Sequence, residues 1–120
     1  MNQFNFNNDL TKMLKIEVPI IMAPMFLVSN TKMTIEASKS GITGCIPALN
    51  YRTIPELRKA ILEVKANCKG PLGINLIVNK FNTKMEQQLE VCVELGVDYI
   101  ITSLGNPKST IEACKPKGIK

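Results

Sequence analysis

Apolar residues in this chain follow two alternating rhythms. Some form short unbroken runs, and others recur every three or four positions along longer stretches. The first run, Val18-Pro19-Ile20-Ile21-Met22-Ala23, is nearly all apolar, as expected of a strand covered on both faces. A polar arm, MNQFNFNNDL, precedes it. Ser29-Asn30-Thr31 then opens a helix predicted to reach about Lys39, with Gly41 as its C-terminal cap. The second run, Ile42 to Leu49, is interrupted by Gly44 and Pro47, which predicts a short strand. In the next stretch Thr53 and Glu56 have capping-box spacing, Pro55 falls in the first turn, and Leu57, Ile61, Val64 and Cys68 form one apolar stripe. Lys69-Gly70-Pro71 marks a turn into a third strand, Leu72 to Val78. Thr83 and Glu86 repeat the capping-box spacing ahead of a stripe of Met85, Leu89, Cys92 and Leu95, and Gly96 closes that helix. A fourth strand is predicted from about Val97 to Leu104. After Gly105-Asn106-Pro107 comes a helix starting near Ser109, with Glu112 three residues on. Gly118-Ile119-Lys120 reads as the start of a fifth strand.

Strands thus begin near residues 18, 42, 72 and 97, each followed by a helix. Parallel strands need a crossover of a dozen or more residues, and a helix supplies it, so the pattern predicts an α/β parallel sheet. Two architectures fit. A flavodoxin-like doubly wound sheet is complete at roughly this length, whereas a (β/α)8 barrel takes about 250 residues, so pattern alone favours the doubly wound sheet. A receiver-type doubly wound domain needs acidic residues at the end of its first strand, and Met22-Ala23-Pro24 offers none. The Ser/Thr/Gly-rich phosphate loop of a flavodoxin is missing there too. The start of a fifth strand without a closing helix also suggests a chain cut short. The expectation is therefore the N-terminal four to five βα units of an incomplete TIM barrel, with residues 1–120 forming the N-terminal part of a single domain.

Composition narrows the function classes. At 45% hydrophobic and 21% charged residues, the chain is neither disordered nor fibrous. No apolar run approaches the roughly 20 residues that span a bilayer, and the first ten residues lack the form of a secretory signal. A cytoplasmic protein without a membrane partner is expected. The net charge of +5 is scattered, apart from Lys115, Lys117 and Lys120, so no basic stripe marks a nucleic-acid partner. Cys45, Cys68, Cys92 and Cys114 form no C-x-x-C pair, and there is no histidine. A structural zinc site is therefore not expected, and no Ser-His-Asp or Cys-His nucleophile system can form within this chain. The cysteines lie in apolar segments and are expected to be reduced and buried.

Five segments, in order and spacing, resemble the N-terminal half of nitronate monooxygenases. They are Pro19 to Met25 at the first strand, Gly41-Ile42-Thr43-Gly44 at the second, Thr53 to Arg58 at a helix start, Pro71 to Leu76 at the third strand, and Ser103 to Pro107 after the fourth. The likeness covers nearly the whole chain after residue 13. Flavin-dependent enoyl-ACP reductases share this half, so the resemblance points to the superfamily more sharply than to one reaction. It implies an FMN-binding barrel that oxidises alkyl nitronates with O2 and needs no metal. The family's catalytic histidine and its FMN-phosphate loops lie in segments with no counterpart here, which implies an inactive fragment. Phe26-Leu27-Val28 is bulky where the family commonly has small residues, so the substrate pocket departs from the family's pattern.

Active sites of such barrels lie at the C-terminal ends of the strands, where Ala23, Pro24, Met25, Asn75 and Ser103 are expected. The resemblance places Ala23 to Met25 against the flavin ring. The Asn75 amide both donates and accepts, which suits a flavin's polar edge. Met25 reads equally well as a gap-filling core residue. Asn75 in an apolar strand needs a hydrogen-bond partner, because an unpaired buried amide costs roughly 1–3 kcal/mol, but a neighbouring loop could provide it. Ser103 could merely cap a strand end, and Asn79-Lys80 reads as a solvated loop. Two open sheet edges would invite self-association. The rival reading is a self-contained, non-catalytic α/β binding or regulatory domain.

Overall fold

Four short strands carry the fold in a computed structural model that describes residues 5–120: β1 (Ile21–Met22), β2 (Thr43–Pro47), β3 (Leu72–Ile77) and β4 (Tyr99–Ser103). The first four residues of the polar arm lie outside the described residues. The strands pair in sequence order and all run parallel. Helices α2 (Thr31–Lys39), α3 (Ile54–Asn67) and α4 (Met85–Leu95) make the crossovers, and α5 (Lys108–Cys114) follows β4.

Side-chain alternation along the strands decides the architecture. Ile46 of β2 and Leu72, Ile74 and Leu76 of β3 share one apolar cluster with residues of all four helices, among them Ile35, Leu57, Leu89 and Cys114. Every crossover helix therefore covers the same face of the sheet. A doubly wound sheet has helices on both faces and a reversal of strand order. Among the described residues the strand order does not reverse and no crossover helix lies on the other face. Sequential strands with every crossover helix on one face form an arc of a barrel, the architecture that the missing motifs and the family resemblance imply.

The other, inner face carries the alternate residues. Gly73 lies directly under the Tyr99 ring, so close that a β-carbon there would collide with it. Tyr99 and Cys45 pack with Leu14 and Ile16 from the N-terminal arm. That arm is not merely polar, because a helix, α1 (Asp9–Leu14), crosses the strand starts and closes the inner face there. Asn8 and Thr11 cap it reciprocally. The Thr11 N–H donates to Asn8 Oδ1 at 3.0 Å, and the Asn8 N–H donates to Thr11 Oγ1 at 3.1 Å. The signal in the sequence was Asn8-x-x-Thr11 overlapping the pair Leu10 and Leu14, four residues apart.

Other boundaries shift for local reasons. The first strand is expected from Val18 but joins the sheet only at Ile21. Pro19 has no N–H, and the Glu17 and Val18 N–H groups both donate to Gly41 O. The α3 capping box forms as predicted, with the Thr53 N–H donating to Glu56 Oε2 at 3.0 Å and the Glu56 N–H to Thr53 Oγ1 at 3.3 Å. Cys68 is the C-cap of α3 and completes its stripe half-buried, packed against the cluster that holds Leu57, Ile61 and Val64. The box expected from Thr83 and Glu86 does not form. Lys84 is the N-cap and its side chain caps nothing, its Nζ donating instead to Arg52 O, while Asn82 Oδ1 accepts from the Lys84 N–H and thereby takes over the turn. α5 likewise begins at Lys108, without a cap from Glu112. Gly41 and Gly96 adopt left-handed conformations just after α2 and α4, as predicted. Gly118-Ile119-Lys120 does begin another rung. The Lys120 N–H donates to Asp98 O at 3.1 Å, and the Ile100 N–H donates to Lys120 O at 2.9 Å, the alternation of a parallel ladder.

Candidate active site

The C-terminal strand ends carry the candidate site. Asn75, fourth of six residues in β3, is only 7% exposed and belongs to the inner face. Its Nδ2 donates to Ile101 O and to Ser103 Oγ, both at 2.9 Å. Ile101 O can only accept, so the NH2 end of the amide must face it, which fixes the amide orientation. Both donor hydrogens are then used. Among the described residues nothing donates to Oδ1, which remains an acceptor at the edge of the inner face. Asn75 is thus satisfied by its neighbouring strand on one side only.

Ala23, Pro24 and Met25 leave β1 at the same end. No hydrogen bond among the described residues links them to Asn75 or Ser103, so the structure joins the latter pair and leaves the β1 segment as a separate wall across β2. Met25 is 41% exposed, so it is not a core filler. Two residues that sequence reasoning passed over shape this wall. Ser29 is fully buried, its Oγ accepting from the Met25 N–H at 2.9 Å and donating to Ala23 O at 2.6 Å. Asn50, just past β2, accepts from the Leu27 N–H at 2.7 Å and donates to Ser29 O at 2.9 Å. Ser29 read only as a helix opener, a position that Asn30 takes instead. Asn50 ended an apolar run with nothing to mark its reach of 21 to 23 residues back along the chain.

The rim around the site is apolar. Met25, Phe26, Leu27, Val28, Leu49, Phe81 and Leu104 are all exposed, and together they occupy the loops that follow the four strands. Leu27 and Leu104 have φ of 60° and 63°, a region costly for any residue with a β-carbon. Gly105 lets the last of these loops lie against Val78, since a β-carbon there would come within 2.6 Å of Val78 O. Asn79-Lys80 stays a surface loop in which Asn79 Oδ1 accepts from the Phe81 N–H.

The inner face carries no group that exchanges protons near neutrality. Its titratable side chains among the described residues are Cys45 and Tyr99. Burial pushes the Cys45 thiol up to about 12. Burial also holds the Tyr99 phenol well above its usual range, although its hydroxyl bonds Thr43 and Gly44 O. Carboxylates gather elsewhere. Glu86, Glu90 and Glu94 flank a groove of about 680 Å³ between α4 and α5, on the helical side and away from the strand ends. Among the described residues, no helix is long and apolar enough to cross a membrane.

Known proteins share this fold. A probable nitronate monooxygenase of Staphylococcus haemolyticus is 34% identical over 85 residues, which cover 71% of this chain and 24% of that protein. The structure of FabK from Thermotoga maritima superposes with a TM-score of 0.88 at 28% identity, over 97% of this chain and 36% of FabK. A nitroalkane oxidase from Streptomyces ansochromogenes shares the fold, with a TM-score of 0.78 at 17% identity, over 91% of this chain and 40% of its own. The chain thus spans about a quarter of the curated relative and little more than a third of FabK. The family model for nitronate monooxygenase matches residues 7–116, from the start of α1 to the turn after α5, and the chain belongs to that family.

Proposed function

We propose that residues 1–120 form the N-terminal, cofactor-facing part of an FMN-dependent oxidoreductase domain that oxidises alkyl nitronates with O2. One observation carries this reading. The buried Asn75 amide spends both donors on β4 and keeps an acceptor at the C-terminal end of an otherwise nearly uncharged inner face. A ring N–H is the partner that such an acceptor lacks. The residues present fit a flavin. Ala23, Pro24 and Met25 supply an apolar wall, Asn75 a polar edge, and Ser103 holds the Asn75 side chain in place. Bound FMN would supply the electron transfer, leaving the protein to bind, orient and exclude water.

Removing a proton from a substrate needs a base, and the inner face offers none, because Cys45 and Tyr99 are both held protonated. The chain by itself therefore binds and orients but does not turn over. The same lack favours a second reading. Nothing on this face distinguishes a nitronate from the double bond handled by a flavin-dependent enoyl-ACP reductase. O2 uptake with an alkyl nitronate supports the first reading, and NAD(P)H oxidation with an enoyl thioester supports the second, each measured on a protein that carries this segment within its complete barrel.

The direct test is an FMN titration of the chain, followed by quenching of flavin fluorescence. Saturable binding is expected, weakened about tenfold or more by Asn75→Leu, since one hydrogen bond and an apolar wall contact are at stake. A folded chain that leaves flavin fluorescence unchanged across the titration would count decisively against the proposal.

A further inference from the structure

The loop from Ala23 to Ser29 is cross-braced in a way that its own sequence does not require. It contains no glycine, yet Leu27 sits at φ 60°. Its side chains Met25 to Val28 are exposed, so apolar packing against the described residues does not hold it. The restraints are polar: Met25 O accepts from the Val28 and Ser29 N–H groups within the loop, and two side chains add the rest. Ser29 Oγ closes the loop on itself, from the Met25 N–H to Ala23 O. The Asn50 amide ties it from outside, with Oδ1 on the Leu27 N–H and Nδ2 on Ser29 O. Asn50 in turn ends the short 3-10 turn Ala48–Asn50, which continues directly from β2. Ala48 of that turn is buried in the main apolar cluster. The brace is therefore anchored in the rigid part of the fold.

We propose that Asn50, acting with Ser29, is the positioning residue for the cofactor wall, holding Ala23 to Met25 in one shape and keeping Leu27 left-handed. This role rests on the flavin reading above, whereas the brace itself rests only on the hydrogen bonds. Asn50 acts through the loop and does not itself touch the ring.

The experiment compares the unmodified chain with Asn50→Ala, and with Asn50→Asp as a milder variant that keeps an acceptor for Leu27 but has no donor for Ser29 O. Amide hydrogen exchange reports the brace. The Leu27 amide should exchange about tenfold faster in Asn50→Ala and stay protected in Asn50→Asp, while β3 and β4 amides exchange as before. FMN fluorescence titration and the visible circular dichroism of bound FMN report the positioning. Asn50→Ala should weaken binding several-fold and change the dichroic band, which a purely structural loss would not alter selectively. Unchanged Leu27 exchange in Asn50→Ala, with FMN still bound, overturns the brace and spares the flavin reading. Faster Leu27 exchange in a chain that never binds FMN overturns the flavin reading and with it the positioning role, but leaves the brace. If Asn50→Ala does not fold, Asn50→Asp decides, because a dichroic band and affinity identical to the unmodified chain would rule out a role for the donor to Ser29.

Discussion

Gly73 and Tyr99 divide one space between them on the inner face, so neither can change alone. A methyl group at Gly73 would enter the Tyr99 ring. Gly73→Ala is expected to cost roughly 1–3 kcal/mol in urea unfolding, with part of the loss recovered in a Gly73→Ala/Tyr99→Leu double variant. Gly96 makes the opposite case. It caps α4 at φ 65° with open space around its α-carbon, so Gly96→Ala meets no neighbour and should still cost about 1 kcal/mol through backbone strain alone. The thiols set a pH dependence. Burial pushes Cys45 and Cys92 from an ordinary value of 9.0 to about 12. Below 9 they are protonated in both the folded and the unfolded chain. Between about 9 and about 12 only the unfolded chain ionises, so stability falls as pH rises through that window. The urea midpoint should decline from pH 9 to pH 11. A flat profile would contradict the burial of these thiols.

At the scale of elements, capping separates two helices whose sequences look alike. Thr53 closes a reciprocal box on α3, whereas Thr83 stands one residue ahead of the α4 N-cap and caps nothing. Thr53→Ala should therefore destabilise by about 1 kcal/mol and Thr83→Ala by less than about 0.5, measured by thermal or urea unfolding. The contrast also explains what the sequence could reveal. Parallel strands, crossover helices and glycine stops were legible because each rests on local periodicity or on a backbone angle that few residues adopt. The Thr83 box failed because a third residue, Asn82, competes for the same turn through its side chain, and spacing alone does not record that competition. α1 was missed because a short helix with only two buried residues looks polar until its packing partners, Cys45 and Tyr99, are known. For the candidate site, Asn75 stood out as a polar residue in an apolar strand, and its bond to Ser103 joined two expected residues. The Asn50–Ser29 brace was invisible because it links chain segments with no shared period.

At the scale of the whole described chain, the four strands form an arc with β1 at one side and β4 toward the other. In a polypeptide of residues 1–120 alone, β1 and the part of β4 not bonded to Lys120 would each be able to template another parallel strand. Sedimentation over a concentration series should show self-association, and a monodisperse monomer throughout would contradict it. Apart from Gly73, whose side-chain space the Tyr99 ring fills, the inner and outer faces of β3 divide its tasks. Leu72, Ile74 and Leu76 face the helices, while Gly73 and Asn75 face the other way. This separation bears on how such a protein can evolve. Substitutions that retune chemistry and substitutions that threaten folding fall on different residues of the same strand, so one can drift while the other is held. A saturation mutagenesis map of residues 72–77, scored once for abundance and once for ligand retention, should beat with a period of two, the two scores out of step except at Gly73, where both should fall.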